Sequence, residues 1–144
     1  MMLIAAAAVI VLMAASACSR QPVHTPPTVQ GQNIAVAVSQ LTPDVPRFFT
    51  YQHEGRHISF FVINIDRRVI SFLDACASCY SHKRGYRYDA NEAVVTCRYC
   101  DMRFSIYKLE KGLGGCYPIR ISGSLEKGDY LIPLASLKAE AAKF

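Results

Sequence analysis

Four cysteines in one stretch carry the strongest chemical signal in this chain. Cys76 and Cys79 form one Cys-x-x-Cys pair and Cys97 and Cys100 a second, with seventeen residues between them in "DACASCYSHKRGYRYDANEAVVTCRYC". Such a turn sets two sulfurs on the same side of a tight loop, and two turns can offer four thiolates to one tetrahedral ion. Cys116, in "GGCYP", is a fifth thiol: glycines before it and Pro118 after it describe a fixed turn that can aim its sulfur at the same place. His82, three residues after Cys79, could replace one thiolate. A buried free thiol and a surface imidazole are the plain alternatives for these two. The expected cofactor is an iron–sulfur cluster or iron, with zinc as the alternative.

Other uses of the same residues fit less well. Covalent haem needs His directly after the second Cys, where Tyr80 and Asp101 stand. A thioredoxin-like centre needs its Cys pair at the start of a helix, and both pairs here follow strand-like runs. A Rieske centre takes one His in each ligand pair, although its strands, paired ligand loops and later Gly-Pro loop are similar in pattern. Structural disulfides are the alternative for an exported domain. A bridge inside a Cys-x-x-Cys loop is strained, however, and the five thiols beyond Cys18 do not pair evenly.

Charge supports the metal reading. Four thiolates around a divalent ion leave a net charge of about 2−, and His82, Lys83, Arg84, Arg87, Arg98 and Arg103 lie in or beside the two loops. They are expected to donate hydrogen bonds to the sulfurs. Tyr80, Tyr86, Tyr88, Tyr99 and Tyr107 are expected to wall the site from water. The formal net charge of +5 favours acidic surfaces such as anionic lipid or an acidic protein. The bases are scattered and form no stripe, which speaks against nucleic acid. Asp66, Asp74, Asp89, Glu92 and Asp101 read as loop and turn residues, and no Ser-His-Asp arrangement or phosphate loop is present. The sequence points to an electron-transfer or metal-binding protein more than to an enzyme, with a structural zinc module assisting a transporter, or a periplasmic thiol–disulfide protein, as the alternatives.

The elements that must position these side chains are mostly β. "NIAVAVSQL" alternates from Ile34, and "RFFTYQHEG" and "RHISFFVINID" read as two strands joined at Glu54-Gly55. "RVISFLDA" and "EAVVTC" are strands that lead into the two Cys pairs. "RFSIYKL", "YPIRIS" and "YLIPL" follow, with turns at "KGLGG" and "EKGD", and "ASLKAEAAKF" favours a short C-terminal helix. Phe48, Phe49, Phe60, Phe61 and Phe72 are expected core residues. The expectation is a small sandwich or partial barrel carrying two Cys-x-x-Cys knuckle loops of zinc-ribbon or Rieske-like character.

Ahead of this domain, residues 1–17 contain no charge and read as a signal peptide or N-terminal anchor. The run ends in "AASAC", a lipobox-like site that would make Cys18 the lipid-bearing N-terminus of a membrane-anchored lipoprotein in the cell envelope, facing the periplasm. Residues 18–32, rich in Pro, Thr and Gln, read as a tether, with His24 a solvated tether residue, and residues 33–144 as the metal-binding domain.

Taken together, "FLDACASCY", "KRGYR", "VVTCRYCDMRF" and "GGCYP" resemble the FtrD-like family, iron–sulfur envelope proteins often found with bacterial iron-transport permeases. The resemblance runs from about Asp44 to about Leu134 and places Cys76, Cys79, Cys97, Cys100 and Cys116 on the family's cysteine positions. It implies electron transfer or metal handling at the membrane, with a permease or a redox protein as partner. No Arg pair precedes the apolar run, so a chain exported unfolded would acquire its metal outside, which favours zinc, or iron or copper taken up directly.

Overall fold

The computed structural model describes residues 21–111 and 115–144. The apolar run, Cys18 and the start of the tether lie outside the described residues, as does the middle of "KGLGG". Twelve strands follow one another: β1 (His24–Thr25), β2 (Thr28–Gln30), β3 (Asn33–Ala37), β4 (Arg47–His53), β5 (Arg56–Ile65), β6 (Arg68–Cys76), β7 (Tyr86–Asp89), β8 (Val94–Cys97), β9 (Arg103–Ser105), β10 (Pro118–Ile121), β11 (Ser124–Glu126) and β12 (Asp129–Pro133). A short helix, α1 (Leu134–Ala139), and a 3₁₀ turn at Ala141–Lys143 follow the last strand.

The strands form three open sheets, in the orders β1-β4-β5-β6-β10, β11-β12-β3-β2 and β7-β8-β9. Tight two-residue turns set the register of the central hairpins. Glu54 (φ 48°) and Gly55 (φ 74°) both have positive φ, the signature of a type I′ turn, and pair His53 with Arg56. Asp66 and Arg67 do the same between β5 and β6 without a glycine.

Alternation along β5 then divides the core in two. Ile58, Phe60 and Val62 face β3, β12 and α1, whereas Phe61, Ile63 and Ile65 face the three-stranded sheet. The middle of the five-stranded sheet is therefore covered on both sides, which is why β6 reads as an almost continuous apolar run. The five phenylalanines expected in the core are all there, none more than 4% exposed.

Two expectations need correction, and one strand adds to those expected. Residues 24–30 are not a free tether: β1 lies parallel to β4 at one sheet edge, and β2 pairs with β3. Strands of two and three residues are too short to show a period, so composition alone made this segment look like a linker. Nor does "RFSIYKL" continue as a strand, because β9 stops at Ser105 and a 3₁₀ segment covers Ile106–Lys111. Ile106 and Leu109, three residues apart, bury together on that tight winding. Finally, β7 adds a strand ahead of β8 between the Cys pairs, and it aims Tyr86 into the core.

Candidate metal centre

The two Cys-x-x-Cys loops leave the ends of β6 and β8 on the face of the large sheet that carries the three-stranded sheet. In the first, Cys79 N–H donates to Cys76 C=O (3.1 Å) and a 3₁₀ turn follows, in which His82 N–H donates to Cys79 C=O (3.0 Å) and Lys83 takes a left-handed conformation (φ 51°). The second is the turn of a hairpin. Cys97 N–H donates to Met102 C=O (2.9 Å) and Asp101 N–H to Cys97 C=O (3.0 Å), with Asp101 at φ 57°. Arg98 N–H reaches Gly85 C=O (2.9 Å) and fastens the second loop to the chain leaving the first.

The third contribution comes from β10. Pro118 pairs with Cys76 across the sheet, and Ala77 N–H donates to Tyr117 C=O (3.0 Å), so Cys116 arrives beside the first loop. Its Sγ lies 3.3 Å from Cys76 Sγ and 3.3 Å from Cys100 Sγ. The sulfurs of Cys76, Cys79, Cys100 and Cys116 all fall within 4.8 Å of one another. Metal–sulfur bonds of about 2.3 Å in a tetrahedron place sulfurs about 3.8 Å apart, so this group is the size of a single-ion site.

The expected ligand set is thereby rearranged. Cys97, anticipated as one of the four, is not among the four mutually closest sulfurs but borders them, its thiol against that of Cys100 and buried at the end of β8 with only 2% exposure. Its hairpin pairing with Met102 holds it in the strand while Cys100 turns inward. Cys116, for which a free thiol was the plain alternative, joins the group. His82 does not: its ring is exposed and stacks on Tyr99, centroids 3.5 Å apart.

Protonation follows the same geometry. Burial pushes the Cys76 thiol up, but main-chain donors at Ser78 and Cys79, with Cys116 and Tyr86, outweigh it and hold the group down at about 7. Cys100 is also lowered: burial opposes, and Met102 N–H and neighbouring thiols prevail. Burial pushes Cys116 up to about 12 and raises Cys79 and Cys97 as well, with nearby sulfurs adding to it in each case. Hydrogen bonds to the sulfurs thus come from main-chain N–H groups, not from the basic side chains expected to supply them. Arg87 instead meets Asp101 (3.3 Å), and Arg103 meets Glu92.

Tyr86 is the aromatic residue that seals the site. It is fully buried, its hydroxyl has no hydrogen-bond partner, and the sulfur of Cys76 is the charged group nearest to influence it. A buried hydroxyl in that state is costly unless a sulfur bearing negative charge accepts a hydrogen bond from it. The four converging sulfurs and this donor together suit a thiophilic metal such as iron or zinc. Tyr88 is engaged elsewhere, donating to Asp44 C=O (2.8 Å), and Tyr80, Tyr99 and Tyr107 are exposed at the surface.

Beneath the centre lies an arrangement that the sequence did not disclose. Asp74, two residues before Cys76 and only 7% exposed, accepts from Tyr86 N–H (2.7 Å) and lies 2.9 Å from His24 Nε2. Gly85 packs directly over it: a Cβ there would stand 2.6 to 2.8 Å from the carboxylate. Asp74 is therefore no turn residue, and His24 no solvated one. An acid at an inward position of an apolar strand, on the same face as Phe72 and Cys76, was the available signal.

Comparison with known proteins bears on this centre. A family model described as "Membrane iron-sulfur containing protein FtrD-like" matches residues 43–144. No curated protein matches the chain. Among solved structures, the ferredoxin of carbazole 1,9a-dioxygenase from Nocardioides aromaticivorans IC177 is 14% identical, with 79% of this chain and 98% of that chain covered and a TM-score of 0.44. So loose a likeness supports nothing that follows.

Proposed function

We propose, for a chain that belongs to the FtrD-like family, that Cys76, Cys79, Cys100 and Cys116 hold iron, as an iron–sulfur cluster or a single ion, and that the protein passes electrons at a membrane surface. The observation that carries this reading is the convergence of four sulfurs from three separate segments. Iron held by thiolates supplies a one-electron couple. The chain's own part is to bind and shield that couple. Tyr86 closes its inner side, main-chain N–H groups stabilise the thiolate charge, and the half-buried Cys100 and Cys116 lie toward solvent, where a partner could approach.

A structural zinc ion is the second reading, favoured by the single-ion size of the sulfur group. The family description names a membrane protein, and among the described residues no helix is long and apolar enough to cross one. Attachment would then fall to the segment ending in Cys18, by a lipid or an uncleaved anchor, with the domain facing the periplasm. A redox protein or an iron-transport permease is the partner class that this placement suits.

Iron, zinc and acid-labile sulfide content, with visible and EPR spectra of the anaerobically purified full chain, test the reading. Iron with sulfur-to-iron charge-transfer bands is expected. Stoichiometric zinc and a colourless protein would replace it with the structural alternative.

A further inference from the structure

The cavity beside the centre holds charge that the sulfurs do not use. It has a volume of about 620 Å³, within the range of small-molecule sites, and its inner wall includes Cys76, Cys79 and Cys97. Lys83, Arg84 and Arg98 stand along its wall. Among the described residues none of these three meets a carboxylate, whereas Arg87 and Arg103 on the same loops do. The one acidic side chain in the wall, Asp74, is already engaged by His24 and Tyr86 N–H. The sulfurs take their hydrogen bonds from main-chain N–H groups, which leaves the three cations without a partner.

The loops that present them are also fixed. Lys83 and Arg84 follow the 3₁₀ turn of the first loop, closed by Lys83 N–H to Tyr80 C=O (2.9 Å), and Arg98 is tied through its own N–H to Gly85. The backbone that carries these cations is thus set before a ligand arrives, and binding has only their side chains left to order. Two guanidinium forks match planar carboxylates in bidentate fashion. The cations come from two different loops, so a ligand with spaced charges can meet both, whereas phosphate offers a single compact head that would fill only part of the volume.

We propose that this cavity binds a small di- or tricarboxylate, held by Arg84 and Arg98 and assisted by Lys83, with Tyr80 and Tyr99 as side walls. The cavity wall includes Cys76 and Cys79, so the carboxylate site adjoins the proposed centre.

Isothermal titration of the anaerobically purified full chain with propane-1,2,3-tricarboxylate tests this, with inorganic phosphate as the comparison anion. One saturable site is expected, and the Arg84→Gln/Arg98→Gln double variant should bind at least about tenfold more weakly, as loss of charge-assisted hydrogen bonds requires. Lys127→Gln removes one positive charge far from the cavity, at the exposed β11–β12 turn, and should leave affinity unchanged. Lys83→Glu, at an exposed position, gives a test that does not depend on guanidinium packing and should also weaken binding at least about tenfold. Absence of saturable binding in the wild type, or equal affinity in the double variant and in Lys83→Glu, would overturn the proposal. Phosphate binding as tightly as the tricarboxylate would overturn the ligand class.

Discussion

The first Cys-x-x-Cys loop delivers both of its sulfurs to the centre and the second delivers one. The loops share a spacing and each follows a β-strand, but they continue differently. After Cys76 the chain leaves the sheet through a 3₁₀ turn, and Cys79 swings back over Cys76. After Cys97 it folds straight back as a hairpin, because Cys97 is still paired with Met102 and Asp101 takes the left-handed conformation that reverses the strand. A residue held in a ladder keeps the side-chain direction of its strand, so Cys97 stays in the core of the small sheet. β10 makes up the deficit by carrying Cys116 alongside Cys76. Ligand spacing alone does not decide which sulfurs converge; what each loop becomes after its first cysteine does.

The largest effect separates Cys116 from Cys97. Cys116→Ser should lose most of the bound metal, whereas Cys97→Ser should keep full stoichiometry with affinity within about tenfold of wild type, measured by metal analysis and chelator competition. The reverse outcome would restore the symmetric pair of loops. Next comes the floor beneath the first loop. Gly85→Ala must place a Cβ against the Asp74 carboxylate and strain a backbone at φ 66°, so it should destabilise the fold by roughly 2–4 kcal/mol in a denaturant titration. Gly55→Ala, at φ 74° with open space around it, should lose only about 1 kcal/mol.

Four of the five strands of the large sheet, its hairpins and both knuckles are visible in the sequence because long apolar runs and two-residue turns leave a local pattern, whereas the two-residue β1 leaves none. The tie of His24 to Asp74 is not, since it joins residues fifty positions apart through strands too short to show a period. The site is visible as a set of cysteines but not as a ligand choice. Spacing favours Cys97, which belongs to a Cys-x-x-Cys pair, over the lone Cys116; strand register is what brings Cys116 beside Cys76.

Two smaller effects sharpen the comparison of the loops. In chain stripped of metal, Cys100 should be alkylated before Cys116 at neutral pH, followed by mass spectrometry. The first thiol is lowered and so carries more reactive thiolate, whereas the second is pushed up to about 12 and stays protonated until far higher pH. Reversal of that order would mean that the second loop is not held as described. Tyr86→Phe removes a donor to Cys76 and should lower the reduction potential by on the order of 60 mV, about 1.4 kcal/mol for a one-electron couple, in a spectroelectrochemical titration. An unchanged potential would show that the hydroxyl does not reach the centre.

Anomalous diffraction at the iron edge, on crystals of the anaerobically purified full chain, addresses the central claim most directly. The account predicts iron bound by Cys76, Cys79, Cys100 and Cys116, with Cys97 unliganded. Iron bound through Cys97 in place of Cys116, or a site holding zinc with no iron signal, would contradict it.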